Sequence, residues 1–258
     1  MIKRYAEMRP TELEAAIKSN PVFIAPWGAL EWHGAHLPLG LDGIVAEAFC
    51  ERLAGTLDAV LLPATWWPMT TLPHAYSMQI SANTLCALWT EMLAECARVG
   101  AKTVCIVTGH YAHGHEWELY RMAHDAMQKH HELRVIAASP LEILLEDELL
   151  DHAGLRETSQ LLAVRPKLVH TNLYEPGKPG KSGVLGDDPR AATAAIGEAL
   201  FERGIEAWRN AVVKWDRDTL QFFYGKRTAA YRPYRQKYFK GSWEQAILDW
   251  WKSRSGDR

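Results

Sequence analysis

The sequence predicts an α/β fold, a single αβα layered domain around a largely parallel sheet. Two observations carry the prediction. Short apolar runs alternate with longer segments of helical period, and the strongest run, Thr103 to Val107 (TVCIV), is continuously apolar, as befits a parallel strand covered on both faces. At 258 residues and 48% hydrophobic content the chain is long enough to bury its own core.

The elements follow in order. Pro21 to Ala25 reads as a strand and Gly43 to Ala54 as a helix; Ala59 to Pro63 reads as a second strand. Asn83 to Val99 reads as a helix, with Asn83 as N-cap, Leu85, Leu88, Met92 and Cys96 on one face, and Gly100 at the stop. After Thr103 to Val107 come a helix over about His115 to Lys129 and a strand over Arg134 to Ala138. The segment Tyr174 to Asp188 (YEPGKPGKSGVLGDD) is rich in Gly and Pro, which predicts an irregular loop, and a long helix should start near Pro189. From Trp215 on, aromatic and basic residues replace the apolar period. The chain therefore divides into a domain over 1–214 and an extended arm over 215–258.

That arm is unusual. Residues 209–258 hold twelve Lys or Arg against five Asp or Glu, and eleven aromatics fall between Trp215 and Trp251. A solvated tail is poor in aromatics, so the arm is expected to pack on the domain or on a neighbouring subunit.

Charge and cysteine content narrow the function. With 29 Lys plus Arg against 31 Asp plus Glu, the net charge of −2 gives no global attraction for nucleic acid or an anionic membrane. No apolar run approaches the roughly 20 residues that span a bilayer. The four cysteines have no CxxC spacing and sit in apolar stretches, which reads as buried thiols of a cytoplasmic protein.

Five of the eleven histidines crowd into HGAH (33–36) and GHYAHGHE (109–116), and His152 stands apart. Glu31 and His33 lie just beyond the first strand, two residues apart and so on one side of an extended chain; a Gly- and Pro-containing turn brings Asp42 back toward them. This mixed N/O set suits Zn²⁺ or Mn²⁺, with iron also admissible. His110 follows the best strand, at the carboxyl edge where open α/β sheets bind ligands. His113, His115 and Glu116 do not form HExxH, because Leu119 stands three residues beyond Glu116, so His113 and His115 read first as capping or surface groups. In Asp151-His152-Ala153-Gly154-Leu155-Arg156-Glu157 a histidine and a glutamate flank a turn before a helical run. Trp66, Tyr76, Ser77 and Gln79, in TWWPMTTLPHAYSMQ, are candidates for an aromatic, hydrogen-bonding pocket wall suited to a small polar ring or polyol, with Tyr111 and His113 as further substrate contacts.

Taken together these segments resemble the creatininase (creatinine amidohydrolase) family: GALEWHGAHLPLGLD (28–42), GHY (109–111), HAGLRETS (152–159) and GVLGDDPRAATAAIG (183–197), within a likeness from about 15 to 212. The resemblance implies an αβα domain, usually a hexamer, holding one or two divalent ions and hydrolysing small amides or related carbonyl compounds. It implies Glu31, His33, Asp42, His110 and Glu157 as metal ligands, Asp42 bridging two ions, and His152 as the catalytic histidine. In such a site water acidified by an ion attacks a planar carbonyl, and a histidine moves the proton. Where the creatininase pattern reads GHYEN, this chain has Ala112 and His113, and Leu149 replaces an aspartate near the substrate, so creatinine is not the expected substrate. The leading expectation is an amidohydrolase opening a small cyclic amide or cleaving a formamide. The alternatives are a C–C hydrolase of a cyclic 1,3-dicarbonyl such as a dehydro-inosose, and a non-catalytic metal- or nucleic-acid-binding protein using Tyr231-Arg232-Pro233-Tyr234-Arg235 to stack on bases.

Overall fold

A computed structural model describes residues 2–255. Five parallel strands form one sheet in the order β1-β3-β2-β4-β5: β1 is Lys3–Arg4, β2 Val22–Trp27, β3 Val60–Leu61, β4 Thr103–Thr108 and β5 Arg134–Ala138. The helices are α1 Pro10–Ser19, α2 Leu41–Leu57, α3 Ala82–Val99, α4 His113–Lys129, α5 Leu155–Val164, the single turn α6 Pro179–Ser182, α7 Ala194–Lys214, α8 Arg217–Tyr238 and α9 Trp243–Ser255. The chain runs from β2 through α2 to β3 in one direction, then from β3 through α3 to β4 and through α4 to β5 in the other. Right-handed crossovers therefore put α2 on one face of the sheet and α3 and α4 on the opposite face. Packing agrees: α2 meets α5 and α7, while α4 meets α3 and α8. Every residue of β2 and of β4 is buried, so both strands are covered on both sides as their composition predicts.

The expected elements are present with shifted ends. Helix α3 is capped by Ser81, whose Oγ accepts from Thr84 N at 3.3 Å, rather than by Asn83. Strand β3 stops at Leu61, short of the expected Pro63, which has no N–H to continue a ladder. That early stop explains how central β2 tolerates Pro26. Its carbonyl accepts from Thr65 N at 3.0 Å, on the side where β3 has already ended, so the missing N–H leaves no strand partner unmet. Among the described residues no helix is long and apolar enough to cross a membrane.

The expected extended arm is instead two helices folded against the domain. The stripe that α8 buries is Leu220, Phe223, Tyr224, Arg227, Tyr231 and Tyr234, helical in spacing but built from tyrosines and an arginine. The Tyr224 hydroxyl donates to Val135 O at 2.6 Å and accepts from Ala137 N at 3.0 Å, supplying edge strand β5 with partners for its free backbone groups. Arg227, nearly buried, donates to Glu142 at 2.5 Å and to Asp147 at 2.6 Å, and the Tyr231 hydroxyl sits 2.6 Å from both Glu116 and Glu142. Tyr231 and Tyr234 are thereby turned inward, away from any stacking partner in solution.

Removing Arg227 should strand the buried Glu142 carboxylate. Arg227→Ala is expected to lower unfolding free energy by about 3–5 kcal/mol, as loss of one partner of a buried pair does, which urea denaturation measures.

Candidate active site at the sheet's switch point

Strands β2 and β4 are neighbours whose outgoing connections leave for opposite faces, so a crevice opens beyond their carboxyl ends. The chain fills it with the start of α2. A Cβ on Gly28 would lie 2.2 Å from Gly43 Cα, and one on Gly109 2.1 Å from the Asp42 carbonyl oxygen; only glycine lets the backbones after β2 and β4 close on the α2 N-terminus. Asp42 is thus held in the crevice, in the first turn of α2, where the helix dipole favours a carboxylate.

Around Asp42 the sequence-predicted ligands converge. His33 Nε2 is 3.0 Å from Asp42 Oδ1 and 3.6 Å from Glu157 Oε2, while His110 Nδ1 is 3.4 Å from Asp42 Oδ2 and 2.9 Å from Glu31 Oε2. Two ligand groups result, His33/Asp42/Glu157 and Glu31/Asp42/His110, and Asp42 turns one oxygen to each. All five side chains are buried.

The remaining atoms of these groups are fixed by the backbone. His33 Nδ1 donates to the Glu31 carbonyl at 3.0 Å and His110 Nε2 to the Met69 carbonyl at 3.0 Å, because a carbonyl can only accept; each imidazole therefore turns its other nitrogen into the cluster, where it would be free to bind a cation on losing its proton. Glu31 Oε1 accepts from Leu72 N. Glu157, in the first turn of α5, accepts from Ala153 N at 2.6 Å and from the Tyr111 hydroxyl.

This donor set fits divalent cations. His33 Nε2 and Asp42 Oδ2 are buried with no well-formed hydrogen bond, which is costly in a protein interior unless something else satisfies them. The charge pattern agrees. Burial alone would lower the His33 pKa, but the carboxylates of Asp42, Glu157 and Glu31 outweigh it and raise it to about 10. At His110 burial is likewise overcome, chiefly by Glu31, and the pKa is raised. Burial also pushes Glu157 up to about 8, against the pull of His33 and with the repulsion of Asp42. Protons on buried imidazoles here offset carboxylate charge that cations would offset instead.

His152 stands beside the cluster. It lies in an isolated antiparallel bridge to Leu185, its ring stacks on His33 at 4.3 Å, and its Nε2 donates to the Trp32 carbonyl at 2.9 Å, leaving Nδ1 as an acceptor. Burial, reinforced by the charge of His33, depresses its pKa to about 4, so the ring is neutral at pH 7. An atom of His152 also lies within 4.8 Å of ligand atoms of Glu31 and His33, close enough to be a ligand in its own right.

A cavity of about 240 Å³ opens over the cluster. Glu31, Asp42, His110, His152 and Glu157 line its floor, and Leu72, Leu150, Leu185, Ile247 and Trp250 bring apolar side chains to it. Tyr111 and His113 also line it. Tyr111, however, gives its hydroxyl to Glu157, and His113 is clamped by Tyr231 (4.6 Å, stacked) and Tyr234 (4.8 Å, edge-on). His115 is not a surface group: it is fully buried, edge-on to His110 at 4.9 Å.

The expected wall of Trp66, Tyr76, Ser77 and Gln79 is corrected, since none of the four lines the cavity. Trp66 packs over Gly40 and Gly43 with its indole N–H on Glu47 at 3.2 Å. Ser77 Oγ accepts from Trp32 N at 3.0 Å, the Gln79 side chain accepts from Thr71 N at 3.1 Å, and Tyr76 is 71% exposed. Their polar tips serve the loop's own backbone. Asp151 was missed as a site residue: its carboxylate accepts from Arg156 N at 2.7 Å and Glu157 N at 3.1 Å, capping α5 and so placing Glu157. The DH pair before a glycine was the available signal.

A profile of the family Creatininase, described as creatinine amidohydrolase, matches residues 6–212. This chain belongs to the creatininase family. Membership makes it a hydrolase. Among its relatives, the creatinine amidohydrolase of Pseudomonas putida is 24% identical over 197 residues, 63% of this chain and 72% of its own length. The mycofactocin precursor peptide peptidase of Mycolicibacterium smegmatis is 26% identical over 226 residues, 77% of this chain and 87% of its own. The crystal structure of a creatininase superposes with a TM-score of 0.72 at 21% identity, over 81% of this chain and 96% of that one. A structure described as creatininase Mn gives 0.72 at 21%, over 82% and 98%, and a Zn–Zn type variant gives 0.72 at 20%, over 81% and 96%. These show the creatininase fold.

Because Asp42 serves both ligand groups and Glu157 only one, their removal should differ. Equilibrium dialysis against zinc is expected to show near-complete loss of bound metal in Asp42→Ala and loss of about half in Glu157→Ala. Equal occupancy in the two variants would contradict a shared Asp42.

Proposed function

We propose that the chain hydrolyses the C–N bond of a small amide at Glu31, His33, Asp42, His110 and Glu157, with His152 as general acid and base. The observation that carries this reading is Asp42 turned with one oxygen to each of two ligand groups, beside a neutral histidine. Divalent ions bound there, zinc or manganese by donor type and iron in principle, supply Lewis acidity to a carbonyl oxygen and acidify water near neutral pH. The descriptions of solved relatives as manganese and zinc–zinc forms support that choice.

The chain's own groups do the rest. Its Nε2–H tied to the Trp32 carbonyl, His152 keeps Nδ1 free to take a proton from attacking water and return it to the leaving nitrogen. A pKa depressed by burial keeps it in the basic form at the outset. The surrounding Leu72, Leu150 and Leu185 limit water at the floor. At about 240 Å³ the cavity is below the ~300–1,000 Å³ usual for drug-sized ligands, which suits a small substrate.

Cleavage of a C–C bond in a polyol-like dicarbonyl is less well supported, because the hydroxyl-binding wall it needs is engaged elsewhere. The two named relatives, an amidohydrolase and a peptidase, both cleave C–N bonds by description. Buried free thiols at Cys50, Cys86, Cys96 and Cys105 support a cytoplasmic protein, and the family resemblance supports a homo-oligomer.

The zinc- or manganese-loaded protein, assayed on lactams, cyclic imides, formamides and short peptides, should release amine or carboxylate from at least one. Turnover of a cyclic dicarbonyl with none of the amides would overturn the reading. His152→Ala should keep its metal and thermal melt while kcat falls roughly 10²- to 10⁴-fold; departure of metal with the side chain would make His152 a ligand. Creatinine should be turned over negligibly, since Ala112 lines the cavity where the creatininase pattern has an acid.

A further inference from the structure

We infer that the two C-terminal helices, which lie beyond the stretch shared with the family, select the substrate, making the cavity a slot for an amide that carries a flat apolar group such as a phenyl ring. The inference rests on the amidohydrolase reading, because it takes the polar floor to hold the scissile group. The family match ends at residue 212, and α8 begins at Arg217. Yet α9 contributes two of the side chains that line the cavity. Ile247 and Trp250 are three residues apart and so project from one face of α9, meeting a cavity that Leu72, Leu150 and Leu185 also line.

Wall and domain are firmly joined. The Trp243 indole N–H donates to Glu118 of α4 at 2.7 Å, and Glu244 accepts from Ala82 N at the start of α3 at 3.0 Å. Ile247 and Trp251 form an apolar cluster with Leu72, which Trp32 joins. Helix α8 reinforces the same wall, clamping His113 between Tyr231 and Tyr234. An indole and four aliphatic side chains offer a substrate apolar contact and few hydrogen bonds, whereas the floor is wholly polar. A ligand that uses both must have a polar end for the cluster and an apolar, preferably planar, end for Trp250.

Hydroxamates test this, because they place a carbonyl against metal-binding residues and carry a variable substituent. Binding of acetohydroxamate, benzohydroxamate and N-phenylacetohydroxamate to the zinc-loaded full chain is measured by calorimetry, with zinc content and melting temperature as controls. At least one phenyl compound should bind the wild type roughly tenfold or more tightly than acetohydroxamate, in proportion to the apolar area buried. That ratio should collapse toward one in Trp250→Ala and recover in Trp250→Phe, a recovery that a merely structural role would not produce. Should Trp250→Ala fail to fold, Trp250→Leu, which keeps an apolar side chain but loses the planar ring, should reduce the ratio in the same direction. A ratio near one in the wild type, or one unchanged in a folded Trp250 variant, overturns the inference and leaves the amidohydrolase reading standing. If none of the three binds in a zinc-dependent way, the amidohydrolase reading fails and the inference with it.

Discussion

The close approach of three backbones beyond β2 and β4 is the constraint from which the site follows. Gly28 and Gly109 leave no room for a Cβ against Gly43 and Asp42, so the first turn of α2 enters the crevice and carries Asp42 with it. Everything else is arranged around that carboxylate. The β2 extension brings Glu31 and His33, the β4 extension brings His110, and α5, capped by Asp151, brings Glu157. An alanine at residue 109 would displace the helix start and, with it, the group that both ligand sets share.

A second design rule is that the imidazoles are aimed by main chain. His33, His110 and His152 each give one ring nitrogen to a backbone carbonyl, of Glu31, Met69 and Trp32 respectively. Which ring nitrogen faces the cluster is therefore set by the path of the loops, while the charge on the rings of His33 and His110 answers to the carboxylates around them.

Much of this was legible in the sequence, and the exceptions have physical causes. Strands β4 and β5 announce themselves because both faces are covered and their residues are apolar throughout or nearly so. That Glu31, His33, Asp42 and His110 come together was legible because motif spacing and family resemblance coincide, whereas Glu157 was placed with them by the resemblance alone. The aromatic wall of Trp66, Tyr76, Ser77 and Gln79 was misplaced because composition does not say whether a polar tip faces a ligand or its own loop. Helix α8 was illegible for a different reason: its inward stripe substitutes Tyr224, Arg227, Tyr231 and Tyr234 for the aliphatic residues by which helical period is recognised, and Pro233 interrupts the helical pattern further. Ile247 and Trp250 carry no local mark at all, since only the tertiary path of α9 brings them to the cavity.

Tyr224 gives the C-terminal helices a duty unrelated to chemistry. Its hydroxyl answers Val135 and Ala137, backbone groups that would otherwise stand open along the rim of the sheet. An unpaired rim of this kind recruits strands from other molecules. Shortening the chain to the part it shares with its relatives would uncover that rim at the same time as it dismantled the cavity wall. Solubility and selectivity thus hang on the same pair of helices, and variation in one is tethered to the other.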